Sequence, residues 1–176
     1  MPMIRPLTTS DLSAFLALRK QSWSTDPLSW DHDPGEVVDP EEWRPRMDAI
    51  DNERFILGYF LTEDRTEPQL AGIIGFSRFE KQKRRHRAMV WGVYVDPEAR
   101  GRGAAKLLLE ECLERARKME GLHHLVLSVS NHAEAAIRLY TAAGFVEWGR
   151  ETAAARTGEV FMDEIHMRFE LSRTRQ

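Results

Sequence analysis

The segment of residues 93–105 constrains the fold of this chain more than any other, because a strand, a glycine-containing turn and a helix follow one another directly. It reads VYVDPEARGRGAA, and Pro97 ends the strand since proline cannot continue a ladder. The turn glycines allow positive φ angles and a close approach of the backbone to a ligand. The first-turn N–H groups of the helix suit a pyrophosphate, and Arg100 and Arg102 add positive charge. The pattern therefore predicts a phosphate-binding turn.

Two common nucleotide motifs do not fit this turn. A P-loop requires a Gly-Lys-Ser/Thr ending, whereas residues 104–107 read AAKL. A dinucleotide fingerprint requires a third glycine at position 106, where Lys106 stands, and a place in an early βαβ unit, which is missing. An ordinary tight connection between a strand and a helix is the simple structural alternative.

The pattern of apolar residues around the turn predicts alternating helices and strands in the middle of the chain, with antiparallel hairpins on either side. Helices are expected near 9–20, 40–51, 102–119 and 133–142. Strands are expected at the N-terminus and near 55–61, 70–79, 88–95, 125–129, 145–153 and 160–171. The charged run 81–87 predicts a hairpin tip. This order predicts an α/β or α+β fold with a mixed sheet, and the absence of repeats or linkers predicts one domain over 1–176.

Composition excludes several classes of protein. The net charge of −3 argues against a nucleic-acid partner, which usually requires a strong basic excess. A single cysteine, Cys112, cannot form an internal disulfide and fits a reducing compartment. Neither a signal peptide nor a run of roughly 20 apolar residues is present, so we expect a cytoplasmic protein without a membrane partner. The pair His123 and His124 matches no metal-ligand spacing, and we predict no metal site.

Two motifs resemble those of the GNAT superfamily of N-acetyltransferases. Residues 100–105, RGRGAA, resemble its acetyl-CoA signature Q/R-x-x-G-x-G/A, with Arg100, Gly103 and Ala105 in the specified places. Residues 127–131, LSVSN, and 139–145, LYTAAGF, resemble its next strand–helix unit. The resemblance covers essentially the whole chain. It implies the GNAT fold, a mixed sheet of six to seven strands flanked by about four helices and splayed between strands 4 and 5.

The resemblance also implies an acetyl-CoA-dependent N-acetyltransferase, in which a primary amine attacks the thioester directly. Small-molecule amines are slightly favoured over protein amines. Tyr140 corresponds to the general acid that protonates the leaving thiolate. The residues implied in cofactor binding are Val93, Tyr94, Val95, Arg100, Gly101, Arg102, Gly103, Ala104, Ala105, Asn131, Ala135 and Tyr140. A non-catalytic acetyl-CoA sensor and an acyltransferase that uses another acyl-CoA stay open as alternatives, and a homodimer is compatible with the family.

The general base is not assigned by the sequence. Many family members carry a glutamate on the fourth strand, whereas residues 88–92 read AMVWG. Glu80 and His86 are badly placed, since His86 precedes Val93 by seven residues, roughly 23 Å along a strand. The remaining candidates are the carboxylates of residues 31–36, Asp163, Glu164, and a water chain through Ser128 or Ser130.

Residues 26–42 are rich in acidic side chains and tryptophans. Such a segment attracts a cationic amine, and its indole rings can contact a cation through their faces. We therefore expect an acceptor site formed by Trp30, Asp31, Asp33, Glu36 and Trp91. A solvated lid without a binding role explains the same composition equally well.

Overall fold

The computed structural model describes residues 3–62 and 67–171, and in this part of the chain seven strands form one sheet. The strands are β1 (Met3–Pro6), β2 (Arg54–Leu61), β3 (Gln69–Arg78), β4 (Arg87–Val95), β5 (His124–Ser130), β6 (Val146–Thr157) and β7 (Val160–Glu170). Their order is β1-β2-β3-β4-β5-β7-β6. Neighbouring strands are antiparallel except β4 and β5, which are parallel. The predicted mixed sheet is confirmed.

Four α-helices flank this sheet within the described residues: α1 (Leu12–Thr25), α2 (Pro40–Asp48), α3 (Ala104–Arg117) and α4 (Glu134–Ala143). All four were expected, but α1 continues five residues beyond the predicted end at residue 20. Its last turn stays helical because Trp23 finds a buried site, where only 3% of its surface is exposed. Pro27, which cannot continue the helix, begins a separate 3₁₀ turn after Asp26.

The two faces of the sheet are covered by different helix pairs. On one face, the apolar stripe of α3 that the sequence predicted is buried, with Leu108 and Cys112 fully enclosed. On the other face, Phe15 of α1 and Trp43 of α2 pack on alternate residues of β2 and β3. Because both faces are covered, the central strands read as nearly continuous apolar runs rather than as an alternating pattern.

The sheet is splayed between β4 and β5. Their pairing covers only residues 87–89 against 124–126, and no ladder continues beyond Met89. On the other side of β4, Ile74 lies opposite both Gly92 and Val93, which makes a β-bulge with Gly92 at φ 62°. The bulge bends the second half of β4 away from β5. The predicted splay is confirmed, and it opens a cleft between the two strands.

One strand end differs from the sequence prediction. β6 was expected to end near residue 153 but extends to Thr157. Ala153 has φ 52°, and the pairing with β7 shifts between Glu151 and Ala155 before it resumes. The predicted hairpin tip after β3 is formed by the 3₁₀ turn Gln82–Arg84.

None of the helices in residues 3–62 and 67–171 combines the length and apolar character that a membrane crossing requires.

Candidate functional site

The cleft between β4 and β5 contains a cavity of about 610 Å³. The second half of β4 forms its floor, the turn before α3 closes one end, and α4 forms a side wall. Most residues that the sequence assigned to the site line this cavity. They are Trp30, Trp91, Val93, Tyr94, Val95, Arg100, Gly101, Gly103, Ala104, Ala105, Ala135 and Tyr140.

The turn before α3 has the backbone conformation that the sequence predicted. Gly101 and Gly103 lie at φ 76° and 75°, in the left-handed region that other residues rarely adopt. A Cβ at either position would meet no atom within 4 Å, so the backbone angle rather than crowding requires glycine. The first-turn N–H groups of a helix lack partners within it, and Ala104 and Ala105, in the first turn of α3, line the cavity. This arrangement suits an anionic phosphate group.

Arg100 connects the turn to the end of α1. Its Nε donates to the carbonyl oxygen of Val95 at 3.0 Å, and its Nη2 donates to Asp26 at 2.7 Å. The carboxylate of Asp26 offsets part of the positive charge that the sequence expectation assigned to this place. Arg102 is exposed and lies outside the cavity lining.

The β4 segment of residues 93–95 exposes backbone groups to the cleft. Tyr94 and Val95 pair with β3 on one side, while the side that faces β5 has no ladder. The phenol of Tyr94 points away from α4, since its hydroxyl lies 2.9 Å from the hydroxyl of Thr25 in α1. Burial raises the pKa of Tyr94, so this phenol stays neutral. Backbone groups of this segment are therefore available to an extended ligand.

Tyr140 reaches the cleft from α4 and is 5% exposed. Its ring packs against Phe145 at 5.7 Å, and no described residue hydrogen-bonds its hydroxyl. Burial raises the pKa of Tyr140 well above its ordinary value, because the phenolate would lose its hydration. The side chain is thus a protonated donor in the cavity wall. Cys112 is no nucleophile, since burial raises the pKa of its thiol to about 12.

Ser128 and His166 form a polar pair that the sequence prediction did not contain. They lie opposite each other in the register of β5 and β7, and Oγ of Ser128 is 2.9 Å from Nδ1 of His166. Ser128 lines the cavity, and a carboxylate oxygen of Glu164 lies 3.9 Å from the same imidazole nitrogen. Strand alternation could have indicated the position of His166 from the sequence. Its neighbours Ile165 and Met167 are buried on one face of the sheet, so His166 lies on the opposite face.

The other candidates for the base lie elsewhere. Asp163 accepts from the N–H of Ala153 at 3.0 Å, outside the cavity lining. Glu80 accepts from Arg54 at 2.7 Å, and the ring of His86 contacts His124 at the far end of the sheet. Neither lies in the cavity lining, which agrees with the distance argument from the sequence.

Asn131 lies at the end of β5 with its side chain turned toward β7. Its Oδ1 accepts from the N–H of Asp163 at 2.8 Å, and its own N–H donates to the carbonyl of Asp163 at 3.1 Å. It does not cap α4, whose N-cap residue is Ala133. Asn131 therefore joins two strands; it is not in the cavity lining, and its predicted contact with the cofactor stays a prediction.

The acidic residues of the expected acceptor site are exposed and do not line the cavity. Glu36 accepts from the N–H of Asp33 at 2.7 Å and lies 2.9 Å from Nδ1 of His32. These contacts, the Asp33 N–H first, lower the pKa of Glu36. Trp30 and Trp91 do line the cavity, so the structure separates the tryptophans of the expected site from its carboxylates.

Within residues 3–62 and 67–171, no three His, Cys, Asp or Glu side chains come together in a group that could hold a metal ion.

Comparison with known proteins gives consistent results. The model of the acetyltransferase (GNAT) family matches residues 15–145. The chain is 25% identical over 173 residues to the L-methionine sulfoximine/L-methionine sulfone acetyltransferase of Pseudomonas paraeruginosa, covering 98% of this chain and 96% of that protein.

Solved structures share the fold over nearly the whole chain. A GNAT-family acetyltransferase from Streptococcus pneumoniae superposes with a TM-score of 0.84 at 26% identity, over 98% of this chain and 100% of that one. A phosphinothricin acetyltransferase from Sinorhizobium meliloti in complex with acetyl-CoA gives a TM-score of 0.81 at 22% identity, over 97% and 88% of the two chains. The splayed sheet and the turn before α3 therefore belong to a fold that these proteins have in common.

Proposed function

The chain belongs to the acetyltransferase (GNAT) family and is an N-acetyltransferase, and we propose that it transfers the acetyl group of acetyl-CoA to the primary amine of a small molecule. One observation carries the proposal. A single cavity runs from the glycine turn, along the open edge of β4, to the hydroxyl-bearing wall of α4. An extended acyl-CoA and an amine can therefore meet in one place.

The residues of the cavity fit acetyl-CoA, which supplies the acetyl thioester when bound. The left-handed glycines and the free N–H groups at the start of α3 suit its pyrophosphate. The unpaired edge of residues 93–95 offers N–H and C=O groups to its pantetheine arm. A backbone N–H of this edge can also stabilise the oxyanion that develops on the acetyl oxygen.

Tyr140 is proposed to act on the leaving thiolate. Its raised pKa keeps the hydroxyl protonated at neutral pH, so a proton is always available there. The same burial makes the phenolate costly, and the hydroxyl therefore acts first as a hydrogen-bond donor while the charge develops on sulfur. The proton passes from the hydroxyl to sulfur as the C–S bond breaks, and the phenolate left behind regains a proton from solvent once the products leave.

Ser128 and His166 are proposed to take the proton from the attacking amine. An amine of the lysine type has a reference pKa of about 10.4 and is protonated at neutral pH, so it must lose a proton before attack. Ser128 lines the cavity, and its hydroxyl can relay this proton to Nδ1 of His166, which lies 2.9 Å away. This pair replaces the missing carboxylate on β4.

A small acceptor is favoured by the lining and by the relatives. Trp30 and Trp91 give the cavity an aromatic wall on the side of α1, opposite the glycine turn. The Pseudomonas protein is named for the acetylation of L-methionine sulfoximine and L-methionine sulfone, both of them small molecules with a primary amine.

The test measures free CoA thiol released from acetyl-CoA with separate classes of amines: amino acids, polyamines, aminoglycosides, and N-terminal or lysine peptides. Acceptor-dependent release with a small-molecule class supports the proposal. Release of CoA only with peptides would show that the acceptor is a protein amine and not a small molecule. Release with propionyl-CoA or succinyl-CoA but not acetyl-CoA would identify another acyl donor, and acetyl-CoA binding without release would identify a sensor.

A further inference from the structure

Buried hydrogen-bond donors without a partner in the described part of the protein lie beside the cavity, on the side of α1. Four buried side-chain nitrogens have no hydrogen-bond partner within the described residues, and three of them belong to Arg19, Trp23 and Trp30. All three residues lie in α1 or shortly after it. Buried polar groups are nearly always paired, so a cluster of unpaired donors indicates a ligand that accepts hydrogen bonds.

Arg19 is the charged member of this cluster. Its guanidinium carbon lies 4.6 Å from the ring centre of Trp43, 5.8 Å from Phe15 and 5.9 Å from Trp23. No carboxylate in residues 3–62 and 67–171 forms an ion pair with it, and desolvation lowers its pKa. Aromatic faces stabilise a cation only in part, and a half-buried guanidinium without a counter-charge is costly.

Arg19 is not in the cavity lining, but its guanidinium lies beside Gly92 at the β4 bulge. A Cβ added to Gly92 would lie 3.6 Å from Nη1 of Arg19, and Gly92 lines the cavity. The positive φ of Gly92 and its missing side chain thus leave the guanidinium beside the open part of β4. Trp91, which precedes Gly92, packs against Trp43 with 6.0 Å between the ring centres, so it belongs to the same group of aromatic side chains.

We propose that Arg19 binds the carboxylate of the acceptor, so that the enzyme acetylates free amino acids. The inference rests on the proposed function and names its substrate class. Arginine presents parallel N–H groups that match the two oxygens of a carboxylate, and Trp30, a residue of the cavity lining, adds a buried indole N–H that has no partner within the described residues. The proposal reverses the charge expected for the acceptor site, since the wall offers donors where the acidic residues 31–36 would have offered acceptors.

The experiment compares amino acids with the amines that lack only their carboxylate. L-methionine sulfone is paired with 3-(methylsulfonyl)propylamine, and phenylalanine with phenethylamine. CoA release is measured for the native enzyme and for Arg19→Met and Arg19→Lys. We expect kcat/KM of the native enzyme to fall by about 100-fold or more when the carboxylate is absent, because the buried guanidinium then stays unpaired. Arg19→Met should remove this preference, and Arg19→Lys should retain part of it.

Arg46 provides the matched control, because its guanidinium lies 4.9 Å from the ring centre of the same Trp43 but is exposed and paired with Glu42 at 2.7 Å. Arg46→Met should leave the preference intact. Equal turnover of both members of each pair by the native enzyme would overturn the inference, and so would an equal loss for both members in Arg19→Met. Neither result would touch the proposed function, which fails if no small-molecule amine of the panel releases CoA from acetyl-CoA.

Discussion

The two walls of the cleft are built in different ways. The phosphate wall, which consists of the turn of residues 100–105 and the helix α4, depends on local backbone conformation and on one helix face. The acceptor wall, which is the proposed acceptor site, is formed by Trp30, Trp91 and Gly92 of the cavity lining. Arg19 of α1 and Trp43 of α2 support it from behind, so it depends on side chains from several elements. A contiguous motif can specify the first wall, whereas only tertiary packing can assemble the second.

The two walls also differ in what fixes their conformation. On the phosphate wall the requirement is a positive φ at Gly101 and Gly103, where an added Cβ would meet no atom within 4 Å. On the acceptor wall the ring of Trp91 occupies the space above Gly75, where an added Cβ would lie 2.3 Å from the ring atoms. The orientation of Trp91 therefore depends on a residue of the neighbouring strand. Changes on the two walls should consequently affect different kinetic constants.

The largest effect is expected from Tyr140→Phe on the phosphate wall. Loss of the hydroxyl should lower kcat by about 100- to 1,000-fold, the range for a general acid, while the KM for acetyl-CoA changes little. Steady-state CoA release with an active amine measures both constants. The fold should be kept, because the ring still packs against Phe145.

The pH profile provides the control for this assignment. Burial raises the pKa of Tyr140, so its acidic form persists as the pH rises, and native activity should show no tyrosine-dependent loss up to about pH 9. A kcat of Tyr140→Phe within threefold of the native value would remove the acid from the mechanism. It would also leave the phosphate wall with a binding role only.

The phosphate wall and the fold could be predicted from the sequence, because each depends on contiguous patterns. The strand–turn–helix of residues 93–105, the buried stripe of α3 and the alternation of strands and helices along the chain follow short periodicities, whereas the splayed sheet was implied by the family resemblance. Arg19 and His166 could not be assigned in this way, since their importance comes from Gly92 and Ser128, which are distant in sequence. The end of α1 was missed because the burial of Trp23 outweighs local signals. The homodimer suggested by the family resemblance stays a prediction.

A second, smaller effect is expected from His166→Ala. If the imidazole takes the amine proton through Ser128, kcat/KM for the acceptor at neutral pH should fall by about 10- to 100-fold. The loss should shrink as the pH rises toward the pKa of the amine, because deprotonated acceptor becomes available in solution. The measurement is the ratio of native to variant kcat/KM between about pH 6.5 and 9.5.

Ser128→Ala separates the relay from the packing of His166 against Trp148, whose ring centres are 5.4 Å apart. Both variants should show the same pH-dependent loss if the hydroxyl and the imidazole act together. A loss of kcat/KM in His166→Ala that does not depend on pH would instead show that the imidazole has only a structural role.

A third effect, on the binding of acetyl-CoA alone, is expected from Gly103→Val. The left-handed backbone at φ 75° costs roughly 1–2 kcal/mol for a residue with a side chain, so the turn will shift out of its binding conformation. We expect the KM for acetyl-CoA to rise by about tenfold with the acceptor KM unchanged, as 1.4 kcal/mol corresponds to a factor of ten. Gly35→Val is the matched control, since Gly35 is exposed and has open space around it.

The smallest effect is expected from the exposed acidic segment. The triple variant Asp31→Asn, Asp33→Asn and Glu36→Gln removes three negative charges that do not line the cavity. Charges exposed to solvent are screened within about 8–10 Å at physiological ionic strength, so the acceptor KM should change by less than about twofold. A large rise in this KM, strongest at low salt, would show that the acidic segment attracts a cationic acceptor. The donors of Arg19, Trp23 and Trp30 would then need another explanation, and the acceptor wall would have to extend to residues that the cavity does not contain.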